Sequence, residues 1–142
     1  MRPEAASFLD VSEPVFQFVC VPSALVGPPA EWAIEMLGDG EIALLADGGG
    51  FAAINEVAHT LGLISVPLVR CEETVERQQE TVMAYGGRLP LVWVGEDFSE
   101  KVTAWARARG PMTLLVEATG PLSEDERRRI DRFVASLGRQ SE

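Results

Sequence analysis

The sequence predicts an α/β fold in three layers, with a five-stranded, mainly parallel sheet and helices on both faces. Three observations carry that expectation. Five apolar segments recur along the chain, and several are near-continuous runs of the kind that strands covered on both faces require. Helix-like stretches separate them, which is the alternation of βαβ units. The chain has 142 residues, room for one domain and hardly for two.

The segments expected as strands are Val15–Val21, Ile42–Ala46, Ile64–Val69, Leu89–Val94 and Met112–Glu117. Pro28 and Pro29 suit the first turn of a first helix, and Gly38 to Gly40 suit its end. A second helix is expected from about Phe51 to Leu61, with Ile54, Val57, Ala58 and Leu61 as its buried stripe and Gly62 as its stop. A third, from Glu73 to Tyr85, carries Glu76, Arg77, Gln78, Gln79 and Glu80 and reads as the most exposed. A fourth starts near Ser99 and turns Val102 and Trp105 inward. The fifth opens on a capping box, Ser123 with Glu126. Its apolar stripe is Ile130, Phe133, Val134 and Leu137, and Gly138 reads as its stop. Residues 15–138 then form the domain, with tails at 1–14 and 139–142. Pro67 falls inside the third strand and removes a backbone donor, which places that strand at an edge. Right-handed crossovers then favour the strand order 3-2-1-4-5.

Charge narrows the classes of function. The chain carries 22 acidic residues against 12 basic ones, a formal net charge of −10. Nucleic-acid binding needs clustered Lys and Arg to neutralise phosphates. The one basic cluster, Arg127, Arg128, Arg129 and Arg132, alternates with Glu124, Asp125, Glu126 and Asp131 and reads as a solvated helix face. No apolar run reaches the ~20 residues of a membrane span. The segment from Met1 to Pro14 lacks the apolar core of a secretory leader, so a cytoplasmic location is expected. Cys20 and Cys71 have neither CxxC nor metal-ligand spacing, and with His59 the only histidine no zinc site is expected.

In an open α/β sheet, ligands bind beyond the carboxyl ends of the strands. The residues placed there are Ser23 after the first strand, Asp47-Gly48-Gly49-Gly50 after the second, Arg70, Cys71 and Glu72 after the third, Glu96 and Asp97 after the fourth, and Glu117, Thr119 and Gly120 after the fifth. Three successive glycines let a backbone approach a ligand, and the helix that follows offers free N–H groups to an anion. The same run also suits a tight turn that binds nothing, since it matches neither GxGxxG nor a P-loop. Glu96 and Asp97 suit either an acid/base pair or a loop that charges the start of the fourth helix. His59 lies off the apolar stripe of its helix and reads as partly exposed.

The stretch Ala43-Leu44-Leu45-Ala46-Asp47-Gly48-Gly49-Gly50-Phe51, followed by Asn55-Glu56-Val57-Ala58, resembles a strand, GDG-type turn and helix of thiamine-diphosphate-dependent decarboxylases. Leu89 to Gly120 resembles that family's closing strand, helix and strand. The likeness covers about half of the chain. It implies a diphosphate site in which Asp47 is a metal ligand. Ala46 stands where the family has Gly, and Arg70-Cys71-Glu72-Glu73 where it has a second ligand, Asn. The same turn is also similar to one in the flavodoxin-like domain of acyl-CoA synthetases.

Together these readings lead to two expectations. In the first, the chain is a ligand-binding domain or subunit with a pocket over Ser23, Asp47, Gly48, Gly49, Gly50, Glu96 and Asp97, suited to a phosphate-bearing molecule of the nucleotide, coenzyme A or thiamine diphosphate type. In the second, it is a non-catalytic interaction or accessory protein. Either is compatible with a homo-oligomer or a subunit of a larger complex.

Overall fold

The computed structural model describes residues 14–38, 40–45, 50–63, 66–69, 72–86 and 89–141. Four strands, β1 (Phe16–Cys20), β2 (Gly40–Leu44), β3 (Leu91–Gly95) and β4 (Thr113–Glu117), run parallel in the order β2-β1-β3-β4. The sheet has four strands, not the five expected. Among the described residues, the segment expected as the third strand contributes a single parallel bridge, Leu68 to Leu44, at the edge beyond β2. The Leu44 N–H donates to the Pro67 carbonyl, and the Val69 N–H donates to the Leu44 carbonyl, both at 3.0 Å. The preceding rung of such a ladder needs an N–H at residue 67 to reach the Ile42 carbonyl. Proline has none, so this rung cannot form ahead of the Leu68 bridge.

Five helices flank the sheet: α1 (Ala30–Met36), α2 (Gly50–Leu61), α3 (Val75–Tyr85), α4 (Glu100–Arg109) and α5 (Glu124–Ser141). Short 3-10 turns lie at Pro22–Leu25 and Gly110–Met112. Side chains follow the period of two along each strand and divide the core. On one face Phe16, Phe18, Cys20, Ile42, Leu44, Val92, Val94 and Val116 pack with Ile54 and Val57 of α2 and Ile130 and Leu137 of α5. On the other, Val19, Ala43, Leu91 and Trp93 pack with Val82 and Met83 of α3 and Val102 of α4. Gly40 permits this density, because a Cβ there would come within 2.6 Å of the Phe16 ring.

The capping signals hold where they were expected. Ser123 Oγ accepts from the Glu126 N–H, and Glu126 Oε1 accepts from the Ser123 N–H at 2.8 Å, the two halves of a capping box. Ser99 caps α4 through the Val102 N–H. Thr74, not singled out from the sequence, caps α3 through the Arg77 N–H, so that helix begins at Val75 rather than at Glu73. Gly62 takes φ +71° just after α2. Two expectations are corrected on α5. The helix runs through Gly138 to Ser141, since glycine inside a helix costs only about 1 kcal/mol against alanine and does not force an end. Phe133 and Val134 are only partly buried, while Ile130 and Leu137 are buried. Ile130 and Leu137, two turns apart, face the sheet, and Phe133 and Val134 between them flank that line.

Two polar arrangements lie towards the amino ends of the strands. Arg109, the last residue of α4, stacks on Trp105 with its guanidinium carbon 4.6 Å from the ring centroid. Its Nη1 donates to the Gly86 carbonyl and its Nη2 to the Leu89 carbonyl, the latter at 2.6 Å. It thereby ties the connection between α3 and β3 to α4. Beside it, the Tyr85 hydroxyl donates to Glu41 Oε1 at 3.3 Å. Burial, and then the Glu41 carboxylate, push the Tyr85 hydroxyl up to about 12. On the outer edge of the sheet, Arg129 Nη2 lies 3.5 Å from the Leu115 carbonyl of β4.

Candidate functional site

The strand order locates the site. From β1 the chain moves outward to β2, and from β3 it moves outward to β4, so the connections diverge between β1 and β3. A crevice is expected outside the carboxyl ends of two such strands. One of about 180 Å³ lies there. Val21 and Ser23 come from the turn after β1, Leu45 from the end of β2, and Gly95, Glu96 and Phe98 from the loop after β3. Ala118, Thr119 and Gly120 follow β4, and Val75, Gln78 and Gln79 close the crevice from the first half of α3.

Its inner wall is aromatic. Trp93, near the end of β3, and Phe98 meet edge to face with centroids 5.1 Å apart. Gln79 is 6% exposed, and its Nε2 donates to the Asp97 carbonyl at 3.1 Å. That bond holds Asp97 at φ +54°, in the left-handed region that a side chain seldom occupies. Gln78 is also engaged, its Oε1 accepting from the Glu72 N–H at 3.0 Å. The loop after β3 is therefore tied to α3 through Gln79, while Gln78 holds the chain just ahead of α3.

The crevice opens into a shallower groove, sharing Glu96, Ala118 and Thr119 with it and adding Asp97, Glu117 and Glu126. Among the described residues, no Lys or Arg lines either. Three arginines on α5 are committed elsewhere: Arg127 to the Leu122 carbonyl, Arg128 to Glu124 and Asp125, and Arg129 at the Leu115 carbonyl. Among the described residues, no group of three His, Cys, Asp or Glu side chains could hold a metal ion.

Of the residues singled out from the sequence, Ser23 and Glu96 line the same crevice, and Glu96 and Asp97 line the groove beside it. Asp47, Gly48 and Gly49 lie outside the described residues, and Gly50 is the first residue of α2. Cys71 and Arg70 also lie outside them. Cys20 is buried at the end of β1, and His59 is exposed on α2, away from the crevice. The sequence reading missed Gln79, Trp93 and Phe98. The helix read as the most exposed buries Gln79, Val82 and Met83. With Val75 these stand at i, i+4, i+7 and i+8, a helical stripe hidden by the charges that surround it. No protein-family model matches the chain, and no curated protein does. Among the described residues no helix is long and apolar enough to cross a membrane.

Proposed function

We propose that the chain is a small-molecule-binding α/β domain whose ligand sits in the crevice between the carboxyl ends of β1 and β3. The observation that supports this most is the aromatic-walled crevice at the place where the strand connections diverge. Its volume of about 180 Å³ suits one ring rather than a whole drug-sized molecule, for which pockets run to roughly 300–1,000 Å³. The ligand class is the phosphate-bearing one expected from the sequence: a nucleotide, a coenzyme A or a thiamine diphosphate type of molecule. The ring enters the crevice. The phosphates extend over β2 towards the amino end of α2, since a helix amino end favours an anion. This orientation keeps the phosphates away from the carboxylates beside β4. The reading assigns no reaction.

Thermal shift with adenosine monophosphate, coenzyme A and thiamine diphosphate tests it, alongside intrinsic tryptophan fluorescence, since Trp93 lines the crevice. Ligand at about 100 times its Kd adds about 2.7 kcal/mol of stability. In a domain of this size that raises Tm by several degrees. A Gly49→Asp variant should keep the fold and lose the shift, because its carboxylate would repel the ligand's phosphate. If the wild type shows neither a shift nor a fluorescence change with any of the three, the ligand-binding reading fails. The interaction-protein reading then replaces it.

A further inference from the structure

We infer that the ring held in the crevice carries a positive charge, as an ammonium, amidinium or charged heterocycle, and that the face over β3 and β4 selects it. This rests on the ligand-binding reading above and adds the chemistry of the ring. Four observations converge. Among the described residues, the one ionic side chain lining the crevice is the carboxylate of Glu96, and no Lys or Arg lines it. The groove into which the crevice opens adds Asp97, Glu117 and Glu126, so whatever protrudes from the crevice towards β4 meets four carboxylates. The deepest polar side chain, Gln79, gives an N–H of its Nε2 to the Asp97 carbonyl, which leaves its Oε1 able to accept from an ammonium or amidinium N–H. The inner wall is Trp93 and Phe98, whose ring faces attract cations.

The spacing of the carboxylates decides the kind of cation. They are not grouped closely enough to hold a metal ion. A bare divalent ion needs several oxygens at once within about 2.6 Å. An organic cation spreads its charge over a body several ångströms long. It can therefore place its ring on Trp93 and its charge among side chains that do not converge on one point. Arg127, Arg128 and Arg129 on α5 are bonded to Leu122, Glu124, Asp125 and Leu115, so none of these three is paired with this face.

The test uses three probes of one ring and similar length that differ in charge: phenethylamine, 2-phenylethanol and 3-phenylpropionate. Dissociation constants are measured by ligand-observed NMR at low and high salt. The amine should bind about tenfold tighter than the alcohol, the factor supplied by about 1.4 kcal/mol. The carboxylate should bind most weakly, and added salt should erode the amine's advantage as charges are screened. Glu96→Gln should remove most of that advantage, read as the ratio of the amine's dissociation constant to the alcohol's. Equal binding of the three, tighter binding of the carboxylate, or an unchanged amine preference in Glu96→Gln overturns the inference. Should the phosphate-bearing compounds still raise Tm in that case, the ligand-binding reading survives and only the charge assignment falls. If neither set binds, both fall.

Discussion

Tyr85 is the only tyrosine in the chain, so its ionisation can be followed without interference from another phenol. Its hydroxyl is half-buried and donates to Glu41 Oε1 at 3.3 Å. Burial disfavours the phenolate, and the carboxylate repels it. Both effects act in the same direction and push the group from its ordinary 10.0 to about 12. The assay is phenolate absorbance in the near ultraviolet against pH, with the midpoint expected near 12 in the folded protein and near 10 in denaturant. Glu41→Gln removes the repulsion and leaves the burial, so its midpoint should fall between the two. The consequence for stability has a definite sign. The folded state holds its proton more tightly than the unfolded state, so this contribution is fully present below pH 10 and is lost as pH rises towards 12. Tyr85→Phe should flatten the stability profile in that window and nowhere else. A midpoint near 10 in the native protein would refute the placement of Tyr85 against Glu41.

Other perturbations test the core and the caps. Arg109→Ala removes two charge-assisted hydrogen bonds and the stacking on Trp105, and should cost about 2–4 kcal/mol in urea denaturation. Arg109→Lys, with no fork to span both carbonyls, should recover less than half of that. Gly40→Ala drives a methyl group into the buried Phe16 ring and should cost about 1–3 kcal/mol, visible as a lowered denaturation midpoint. Ile130→Ala should cost about 2–5 kcal/mol, and Phe133→Ala less than Ile130→Ala, because Ile130 alone of the two is fully buried. Ser123→Ala should cost about 1 kcal/mol, measured by the same denaturation series, through loss of the cap on α5.

The parallel sheet was legible because its strands are covered on both faces and so are written as apolar runs, such as Leu91-Val92-Trp93-Val94. The capping box of α5 was legible because it is a local rule, complete within four residues. Pro67 marked the right edge, but the extent of pairing there was not legible, since it depends on which neighbour's carbonyl each N–H faces. The order of β2, β1, β3 and β4 followed from that edge and from the handedness of crossovers. In the site, Ser23, Glu96 and Asp97 could be placed because strand ends are marked by the change from apolar to polar residues. Gln79 could not, since a buried amide amid Glu76, Arg77 and Glu80 reads as solvent-facing until the sheet supplies its other side. Trp93 was read as a strand residue, which it is. That it also walls the crevice follows from the way β1 and β3 lie side by side, a long-range fact that no local pattern records.

The two margins of the sheet bear on how the protein behaves when crowded. A free β-strand margin is a template on which another chain can polymerise. At one margin the 66–69 segment covers β2, and its single bridge, cut short by Pro67, is too brief to seed growth. At the other, β4 turns the Leu115 carbonyl outward, and Arg129 lies across it with a bulky charged group. A charge-neutral, smaller residue at 129 would uncover the middle of that strand. The protein would then be expected to lose colloidal stability on concentration, without any loss of folding free energy. Arg129 is in this sense a guard against self-assembly.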